Sequence, residues 1–329
     1  MRTTLPLFAV LALVLVPVVG TMANMQFLFG VIIPYVAFTI FVLGFVAKVV
    51  KWGRSPVPFC IPTTCGQEES LPWIKQNKLE NPSTTLQVIG RMFLEIFFFR
   101  SLFRNLKTDF REGPKIAYGS DKWLWMAGLA FHYSFLFILI RHARFFFSQV
   151  PFPIVMIEAM DSFFQIGAPL FYITDAVILG AVTFLLLRRV YIPQVRYISL
   201  AADFFPLYLI LAIATSGVIM RYFLKTNIVG VKELAMGMVT LAPKVPEGVG
   251  TIFYVHIFLI SVLFMYFPFS KLMHLGGVFL SPTRNMANNS RKVRHVNPWN
   301  YPVHVHTYDE YEEEFREKMK KAGIPVEKE

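Results

Sequence analysis

Cysteine is scarce in this sequence of 329 residues, which contains only Cys60 and Cys65. An iron–sulfur cluster is usually held by four thiolates, so these two residues cannot hold one by themselves. A disulfide between them is not expected on the cytoplasmic side of a membrane. They are either buried small residues or neighbours of a partner's cluster. No C-x-x-C-H motif occurs, which excludes a haem attached covalently in the c-type manner.

Charged residues are also few. They make up 16% of the chain, against 55% hydrophobic residues, and the mean hydropathy is +0.51. This composition is typical of a polytopic helical membrane protein. The formal net charge of +11 then reflects cytoplasmic loops. Because no nucleic-acid-binding motif accompanies the charge, the sequence predicts membrane lipid and no nucleic acid as a partner.

Long apolar stretches predict an all-α membrane bundle with six transmembrane helices. The six stretches are residues 5–22, 26–49, 123–146, 168–187, 203–223 and 250–273. The predicted organisation is an N-terminal anchor helix (1–25), a transmembrane helix (26–50), a cytoplasmic loop with an amphipathic helix (51–122), a dihaem transmembrane core (123–280) and a cytoplasmic tail (281–329).

Lysine and arginine set the predicted orientation, because they are enriched in cytoplasmic loops. Eleven of them lie in residues 51–122 and none in residues 148–170. The tail from Lys271 onward holds ten, whereas residues 225–249 hold three. This alternation predicts a multi-pass protein of the cytoplasmic membrane with both termini in the cytoplasm.

The two cytoplasmic segments each contain a predicted helix. Residues 84–107 form an amphipathic pattern that fits either the inner membrane surface or a partner-binding helix. In the tail, Thr307 and Glu310 form a capping-box pattern, which predicts a helix that docks a soluble subunit or stays solvated. His304 and His306 flank Val305, and this pair could bind a metal ion. Because no other ligands are near in the sequence, an ordinary surface pair is the favoured interpretation.

Histidine is concentrated in two of the apolar helices. His132 and His142 are ten positions apart in one helix, and His256 and His274 are eighteen apart in another. Ionisable side chains inside a membrane are costly and usually mark function. Since a neutral imidazole is a good axial ligand of haem iron, four of them predict two bis-histidine haems. The alternative is that they hydrogen-bond between core helices.

Helix direction predicts how the four metal ligands pair. The members of the two pairs lie about 15 Å and about 27 Å apart along straight helices. In antiparallel helices, His142 then faces His256 near the outer surface, and His132 faces His274 near the cytoplasm. With both axial positions filled, such irons carry electrons and do not bind oxygen.

Polar residues near the predicted outer face are candidates for proton chemistry. Asp175 is the strongest candidate for a catalytic proton acceptor, since it lies inside an apolar helix. Glu158 and Asp161 are either further acceptors or ordinary loop residues, and Gln165 and Tyr172 are candidate hydrogen-bonding groups.

Arginines beside the predicted haems are candidate ligands of haem propionates, because guanidinium binds carboxylates bidentately. Arg141 and Arg144 flank His142, and Arg188 lies toward the inner haem. Arg189, next to Arg188, is a further candidate. All four are alternatively interfacial anchors whose charged ends reach the headgroups, an interpretation favoured for Arg189 and disfavoured for Arg141.

The histidine spacing, ending in the sequence Phe267-Pro-Phe-Ser-Lys-Leu-Met-His274, resembles the dihaem cytochrome b subunits of respiratory nitrate reductases, the gamma subunits, over about residues 26–280. The additional first helix, the long 51–122 segment and the stretch Pro58-Phe-Cys-Ile-Pro-Thr-Thr-Cys-Gly66 look like the membrane cytochrome b family of the Dsr complexes, the DsrM family.

The resemblance implies two non-covalent haems b with the same crosswise ligand pairing. It further implies that a quinol, here menaquinol, is oxidised at the outer haem and that electrons pass inward. Their acceptor would be a cytoplasmic iron–sulfur subunit, DsrK-like and similar to heterodisulfide reductase, with other Dsr subunits, in sulfite-linked sulfur metabolism. The nitrate reductase relatives carry a lysine at the quinol site, whereas residues 148–187 contain no lysine or arginine.

Two other functions are compatible with the same histidines. One is a transporter or proton-conducting subunit in which buried imidazoles relay protons, and the other is a membrane anchor without redox function. Both predict a colourless protein, whereas an electron-transfer subunit of a quinol-linked oxidoreductase is coloured by haem.

Overall fold

The computed structural model describes residues 3–57, 60–61, 66–113, 115–292 and 304–328. Helices dominate this part of the chain. They are α1 (Thr4–Met22), α2 (Ile33–Gly53), α3 (Thr85–Phe98), α4 (Arg100–Phe103), α5 (Lys122–His142), α6 (Phe152–Asp161), α7 (Ile173–Tyr191), α8 (Pro193–Ile198), α9 (Ala201–Val218), α10 (Ile228–Val239), α11 (Thr251–Tyr266), α12 (His274–Leu280) and α13 (Tyr308–Lys321). Strands β1 (Leu106–Arg111) and β2 (Lys115–Ser120) pair antiparallel as a hairpin.

Within the described residues, five helical stretches are long and apolar enough to cross a membrane, which confirms the predicted helical membrane bundle. They are Thr4–Met22, Leu28–Gly53, Lys122–Phe146, Ala201–Phe223 and Thr251–Phe269. The remaining predicted span, 168–187, corresponds to α7, whose 19 residues include Asp175, Arg188 and Arg189. The count of six spans therefore stays a prediction.

The bundle core lies between α1, α7, α9 and α11. Leu209 of α9, Val182 of α7 and Leu259 of α11 are fully buried in one hydrophobic cluster, together with Val10 of α1. Burial of these side chains supplies the packing that fixes the helices relative to one another. α5 packs against α7 at the side of this core.

The predicted span 250–273 is not one continuous helix. Pro268 has no amide hydrogen, and α11 ends at Tyr266, followed by a 3₁₀ turn over Phe267–Phe269. Ser270 is extended and its hydroxyl accepts the Leu272 N–H, which starts the next turn. His274 consequently begins a separate helix, so the straight-helix distance of about 27 Å does not apply to it.

The segment between α2 and α5 differs from its prediction. The predicted helix over 84–107 ends at Phe98, because Phe99 has a left-handed backbone (φ 50°, ψ 46°). After the short α4, the chain forms the β1–β2 hairpin, which the sequence analysis did not predict. Gly113, at φ 78°, lies in the connection between the two strands, where a left-handed backbone favours glycine.

Ion pairs join this segment to the start of the tail. Glu80 is buried and pairs with Arg100 and Arg104. Glu95 is also buried and pairs with Arg284, which lies 189 positions away in the sequence. Residues 281–292 thus fold onto the 66–104 region, which the division into a separate loop and tail did not anticipate.

Cys60 is a buried residue in the same region, and burial raises the pKa of its thiol. Its thiol hydrogen-bonds weakly to the Ile61 carbonyl oxygen, 3.6 Å away. These contacts match the first of its two predicted roles, a buried small residue. Cys65 lies outside the described residues.

The tail helix is confirmed. α13 begins after Thr307 with the predicted capping box, in which the Thr307 hydroxyl accepts the Glu310 N–H and Glu310 accepts the Thr307 N–H. Gly323 follows the helix at φ 71°. The last residues fold back, because buried Glu312 accepts the backbone N–H groups of Glu327 and Lys328.

Candidate functional site

Two pairs of imidazoles face each other across the bundle. The His142 and His256 rings have centroids 6.5 Å apart and planes inclined by 22°. The His132 and His274 rings have centroids 5.9 Å apart and planes inclined by 81°. α5 contributes one member of each pair, and the α11–α12 region contributes the other. The structure therefore brings together the same partners that antiparallel helix direction predicted.

These separations suit two axial ligands of one metal. Two metal–nitrogen bonds of about 2.0–2.1 Å, plus about 1 Å from each nitrogen to its ring centre, place the centroids about 6 Å apart. Both observed values lie close to this. The alternative core role, a hydrogen bond between helices, is seen for His256, whose Nδ1 bonds to Ser216 of α9. The other three rings bond to carbonyl oxygens three or four positions earlier in their own segments.

Each of the four rings uses Nδ1 within the protein. The partners are the carbonyl oxygens of Gly128 for His132 (2.8 Å), Ile138 for His142 (2.7 Å) and Lys271 for His274 (3.0 Å), and the hydroxyl of Ser216 for His256 (2.8 Å). A hydrogen bond at one ring nitrogen fixes the tautomer and orients the ring. It leaves Nε2 with a free lone pair, which is the state that an axial ligand requires.

Ser216 determines the tautomer of His256. The Ser216 hydroxyl donates its hydrogen to the Ile213 carbonyl oxygen at 2.9 Å, so its lone pair accepts the Nδ1–H of His256. The neighbouring Gly217 provides room for the ring, since a Cβ at that position would lie 3.3 Å from His256 Cε1. Sequence analysis missed both residues, because neither forms a motif with the histidine 40 positions away.

Aromatic side chains surround the other pair. The ring centroids of Phe99 and Phe131 both lie 4.9 Å from the His132 centroid, and their planes are nearly perpendicular to the imidazole. The Phe99 turn is held by α5, because Trp125 donates to the Phe98 carbonyl oxygen and Tyr133 to that of Phe97. The left-handed turn between α3 and α4 is therefore fixed against the imidazole.

A network of charged residues lies one residue from His142. The buried guanidinium of Arg141 lies 2.9 Å from Asp161 Oδ2 and 2.7 Å from Asp175 Oδ1. Thr174 accepts a third contact at 3.1 Å and donates to Asp161. The guanidinium also covers the Tyr172 ring at 3.7 Å from its centroid. The partners of Arg141 in this structure are thus protein carboxylates, and its role toward a propionate stays a prediction.

Two residues of the π-helical turn Ile219–Phe223, which follows α9, complete the network, and neither is predicted from the sequence. The Tyr222 hydroxyl donates to Asp175 Oδ2 at 2.8 Å and accepts the Tyr172 N–H at 3.0 Å. Arg221 stacks over Tyr172 at 4.0 Å and donates to the Leu170 carbonyl oxygen. An arginine that ends an apolar helix carries no sequence signal beyond that of an interfacial anchor.

The remaining predicted arginines also form ion pairs inside the protein. Arg144 pairs with Glu158 at 2.9 Å, and Arg188 pairs with Asp121 at 2.7 Å, at the opposite end of the bundle. Their predicted contacts with propionates stay predictions. Among the proton-chemistry candidates, Gln165 is exposed in the loop after α6, and its side chain forms no hydrogen bond with the described residues of this network.

Comparison with known proteins identifies the group to which these features belong. The profile of the nitrate reductase gamma subunit matches residues 96–295, a range that contains all four paired histidines. The chain belongs to the nitrate reductase gamma subunit family. The matched region also includes the Arg141 network and the Phe99 turn.

Relatives extend the similarity beyond this region. A protein of Archaeoglobus fulgidus, an Hdr-like menaquinol oxidoreductase cytochrome b-like subunit, is 46% identical over 279 residues, which is 83% of each chain. A protein of the same description from Archaeoglobus profundus is 38% identical over 274 residues, 81% of each chain. The chain is therefore similar to these two relatives over more of its length than the family profile covers.

Proposed function

We propose that this chain is a dihaem cytochrome b that relays electrons between menaquinol and a cytoplasmic iron–sulfur subunit. One observation supports the proposal most strongly. Within each of the two imidazole pairs, the ring centroids are about as far apart as two ligands of one haem iron would be, and every ring uses Nδ1 in a hydrogen bond within the protein. When bound, haem iron with two imidazole ligands supplies one-electron transfer.

The protein's own contribution is to position and orient the ligands. His142 and His256 would hold one haem b, and His132 and His274 the other. The carbonyl and hydroxyl groups at Nδ1 raise the basicity of each imidazole and fix its plane. Because each pair joins two helices, haem binding would also stabilise the packing of α5 against the α11–α12 region.

Quinol would react at the His142 end of the bundle. Oxidation of a quinol releases two protons, and Asp175 is the carboxylate placed to take one at Oδ2, where the Tyr222 hydroxyl now donates. Its side chain is 14% exposed, against 1% for Asp161, so Asp175 is the more accessible of the two. Arg141 holds the carboxylate in position and stabilises its charge.

In this proposal, the distribution of lysine and arginine sets the orientation of the chain across the membrane. Both termini lie in the cytoplasm, and the cytoplasmic membrane holds the spans. The region that joins residues 66–104 to residues 281–292 then faces the cytoplasm, where an iron–sulfur partner can dock. The Hdr-like relatives support a heterodisulfide-reductase-like partner. A DsrK-like character of this partner, with other Dsr subunits in sulfite-linked sulfur metabolism, rests on the resemblance of the first helix and residues 51–122 to the DsrM family.

Haem analysis of the purified chain tests this proposal. We expect about two haems per chain by pyridine haemochrome analysis, all extractable because none is covalently bound. A colourless protein with transport activity would instead support the transporter. A colourless protein without such activity would support the anchor without redox function.

A further inference from the structure

We infer that His304, His306 and Glu310 form a binding site for a divalent transition metal ion, with zinc as the expected ion, at the start of the tail helix. The sequence analysis interpreted the two histidines as an ordinary surface pair. The structure adds a carboxylate, since ligand atoms of the three residues all lie within 4.8 Å of one another.

Local geometry brings the two imidazoles together. They flank Val305, which is 82% exposed, and their centroids are 4.7 Å apart with planes inclined by 77°. Residues two positions apart in an extended segment point to the same side. A pair of exposed imidazoles with this separation offers two nitrogen ligands of the type that zinc prefers.

The capping box places the carboxylate opposite these nitrogens. Glu310 Oε2 accepts the Thr307 N–H at 2.8 Å, which ties the third residue of α13 to the segment that carries the histidines. The second oxygen of this carboxylate remains available as a metal ligand. The site is therefore arranged by the helix start and does not depend on a distant part of the chain.

A fourth ligand is within reach. Glu314 lies one turn after Glu310 on α13, and its Oε2 is 3.8 Å from His306 Nδ1. Ligands at about 2.0–2.2 Å from a tetrahedral ion stand about 3.5 Å from each other. Small rotamer changes of these exposed side chains would close the site. Two imidazoles and two carboxylates would neutralise the ion's charge.

This inference is independent of haem binding. The four residues lie outside the spans, and none is a proposed haem ligand. A metal ion bound here would fix residues 304–306 to α13, and would thus order the start of the tail helix that follows the membrane bundle.

Zinc titration of the full, haem-loaded chain without a polyhistidine tag tests the site. After treatment with a chelator, zinc is titrated against a chromophoric competitor. We expect one zinc per chain in the micromolar range or tighter, with imidazole scattering at the zinc X-ray absorption edge. The double variant His304→Ala/His306→Ala should lose this zinc. Glu310→Gln should bind at least about tenfold more weakly, since even partners beyond the direct ligands contribute that much.

Glu317→Gln is the matched control. Glu317 is an exposed acidic residue of the same helix that does not belong to the cluster, so its removal should leave zinc binding unchanged. Unchanged haem content will show that the variants are folded. Absence of stoichiometric zinc, or zinc that persists in the double histidine variant, would overturn the inference.

Discussion

Arg141 and Asp175 are 34 positions apart in the sequence, yet the guanidinium lies 2.7 Å from the carboxylate in the structure. From the sequence alone, Arg141 is a candidate ligand of a haem propionate and Asp175 a separate candidate for proton uptake. Their contact, together with Asp161, makes them one buried network beside His142. Removing one partner of such a pair leaves an uncompensated buried charge, so substitutions here need to preserve shape.

Crosswise ligation predicts which histidine variants behave alike. His142→Ala and His256→Ala should each remove the same haem, because the two rings face each other. His132→Ala and His274→Ala should each remove the other haem. Redox titration of the haem absorption bands distinguishes the two haems. If the His132 and His142 variants lost the same haem, the pairing would be wrong.

Asp175→Asn tests the proposed proton acceptor. The amide keeps the shape of the side chain but cannot take up a quinol proton. We therefore expect haem reduction by a menaquinol analogue to slow by about 100-fold or more, with haem content unchanged. Stopped-flow absorption measures the rate.

The matched control is Glu158→Gln, which alters the neighbouring ion pair with Arg144 but leaves the Asp175 network intact. Tyr222→Phe, which removes the hydroxyl donor to Asp175, should also slow the reaction. An unaltered rate in Asp175→Asn would remove this residue from the mechanism.

Phe99→Gly tests the role of the Phe99 ring, because it removes the ring and keeps the left-handed turn. Glycine adopts the left-handed conformation without the cost of about 1–2 kcal/mol that a side chain incurs there. It also removes the ring that lies edge-on to His132. We expect the reduction potential of the His132–His274 haem to shift while that of the other haem stays constant.

Phe145→Leu provides the reciprocal variant, because the Phe145 ring lies 6.0 Å from that of His142. It should affect the other haem alone. Equal shifts of both haems in either variant would show a general change of the bundle and would contradict a local role for Phe99.

Two truncations test the tail as a docking element for the iron–sulfur partner. A chain that ends at Leu280 loses Arg284 and thus the ion pair of this arginine with the buried carboxylate of Glu95, whose hydrogen bonds to Ser101 remain. We expect this truncation to release the partner, leave both haems bound and make the 66–104 region sensitive to protease. Co-purification and limited proteolysis measure these effects.

A chain that ends at residue 303 is the control, because it lacks α13 but keeps residues 281–292 and their ion pairs. Its 66–104 region should resist protease like that of the full chain. Loss of the partner from this shorter truncation would assign docking to α13, whereas retention of the partner after truncation at Leu280 would exclude the whole tail.

The pH dependence of the tail follows from Glu312. Hydrogen bonds from the backbone N–H groups of Glu327 and Lys328 hold the pKa of this carboxyl below its usual value. When the pKa of a carboxyl is lower in the folded state than in the unfolded state, its ionised form stabilises the fold at any pH above the unfolded-state pKa. This stabilisation is lost as the pH falls through the folded-state pKa.

We therefore expect the C-terminal residues to stay folded onto α13 at neutral pH and to open below about pH 4. Hydrogen exchange of the C-terminal peptide, corrected for the intrinsic pH dependence, measures the opening. Glu312→Gln should open at neutral pH, while Glu313→Gln, an exposed neighbour, should behave like the unaltered chain. Opening with the same pH profile in Glu312→Gln would contradict this role.

Periodicity and charge allowed much of the architecture to be predicted. Five apolar stretches became helices that can span a membrane, since their length and hydropathy depend on local sequence alone. The capping box of α13 was likewise predicted from residues three positions apart. The histidine partners followed from helix direction, because two antiparallel helices leave one consistent pairing.

Other features depended on contacts between distant residues. The Ser216–His256 hydrogen bond and the Arg141–Asp175 pair join positions on different helices, and no local pattern encodes them. The β1–β2 hairpin and the left-handed Phe99 were not predicted, because the amphipathic pattern of residues 84–107 continues past Phe99. The turn at Phe99 is held by hydrogen bonds from α5, which are tertiary contacts. The sequence alone determined which residue types are buried in an apolar bundle. Only the tertiary structure decided which polar groups form hydrogen bonds and ion pairs with one another there. A buried polar group needs such a partner, and folding brings that partner from a distant part of the chain.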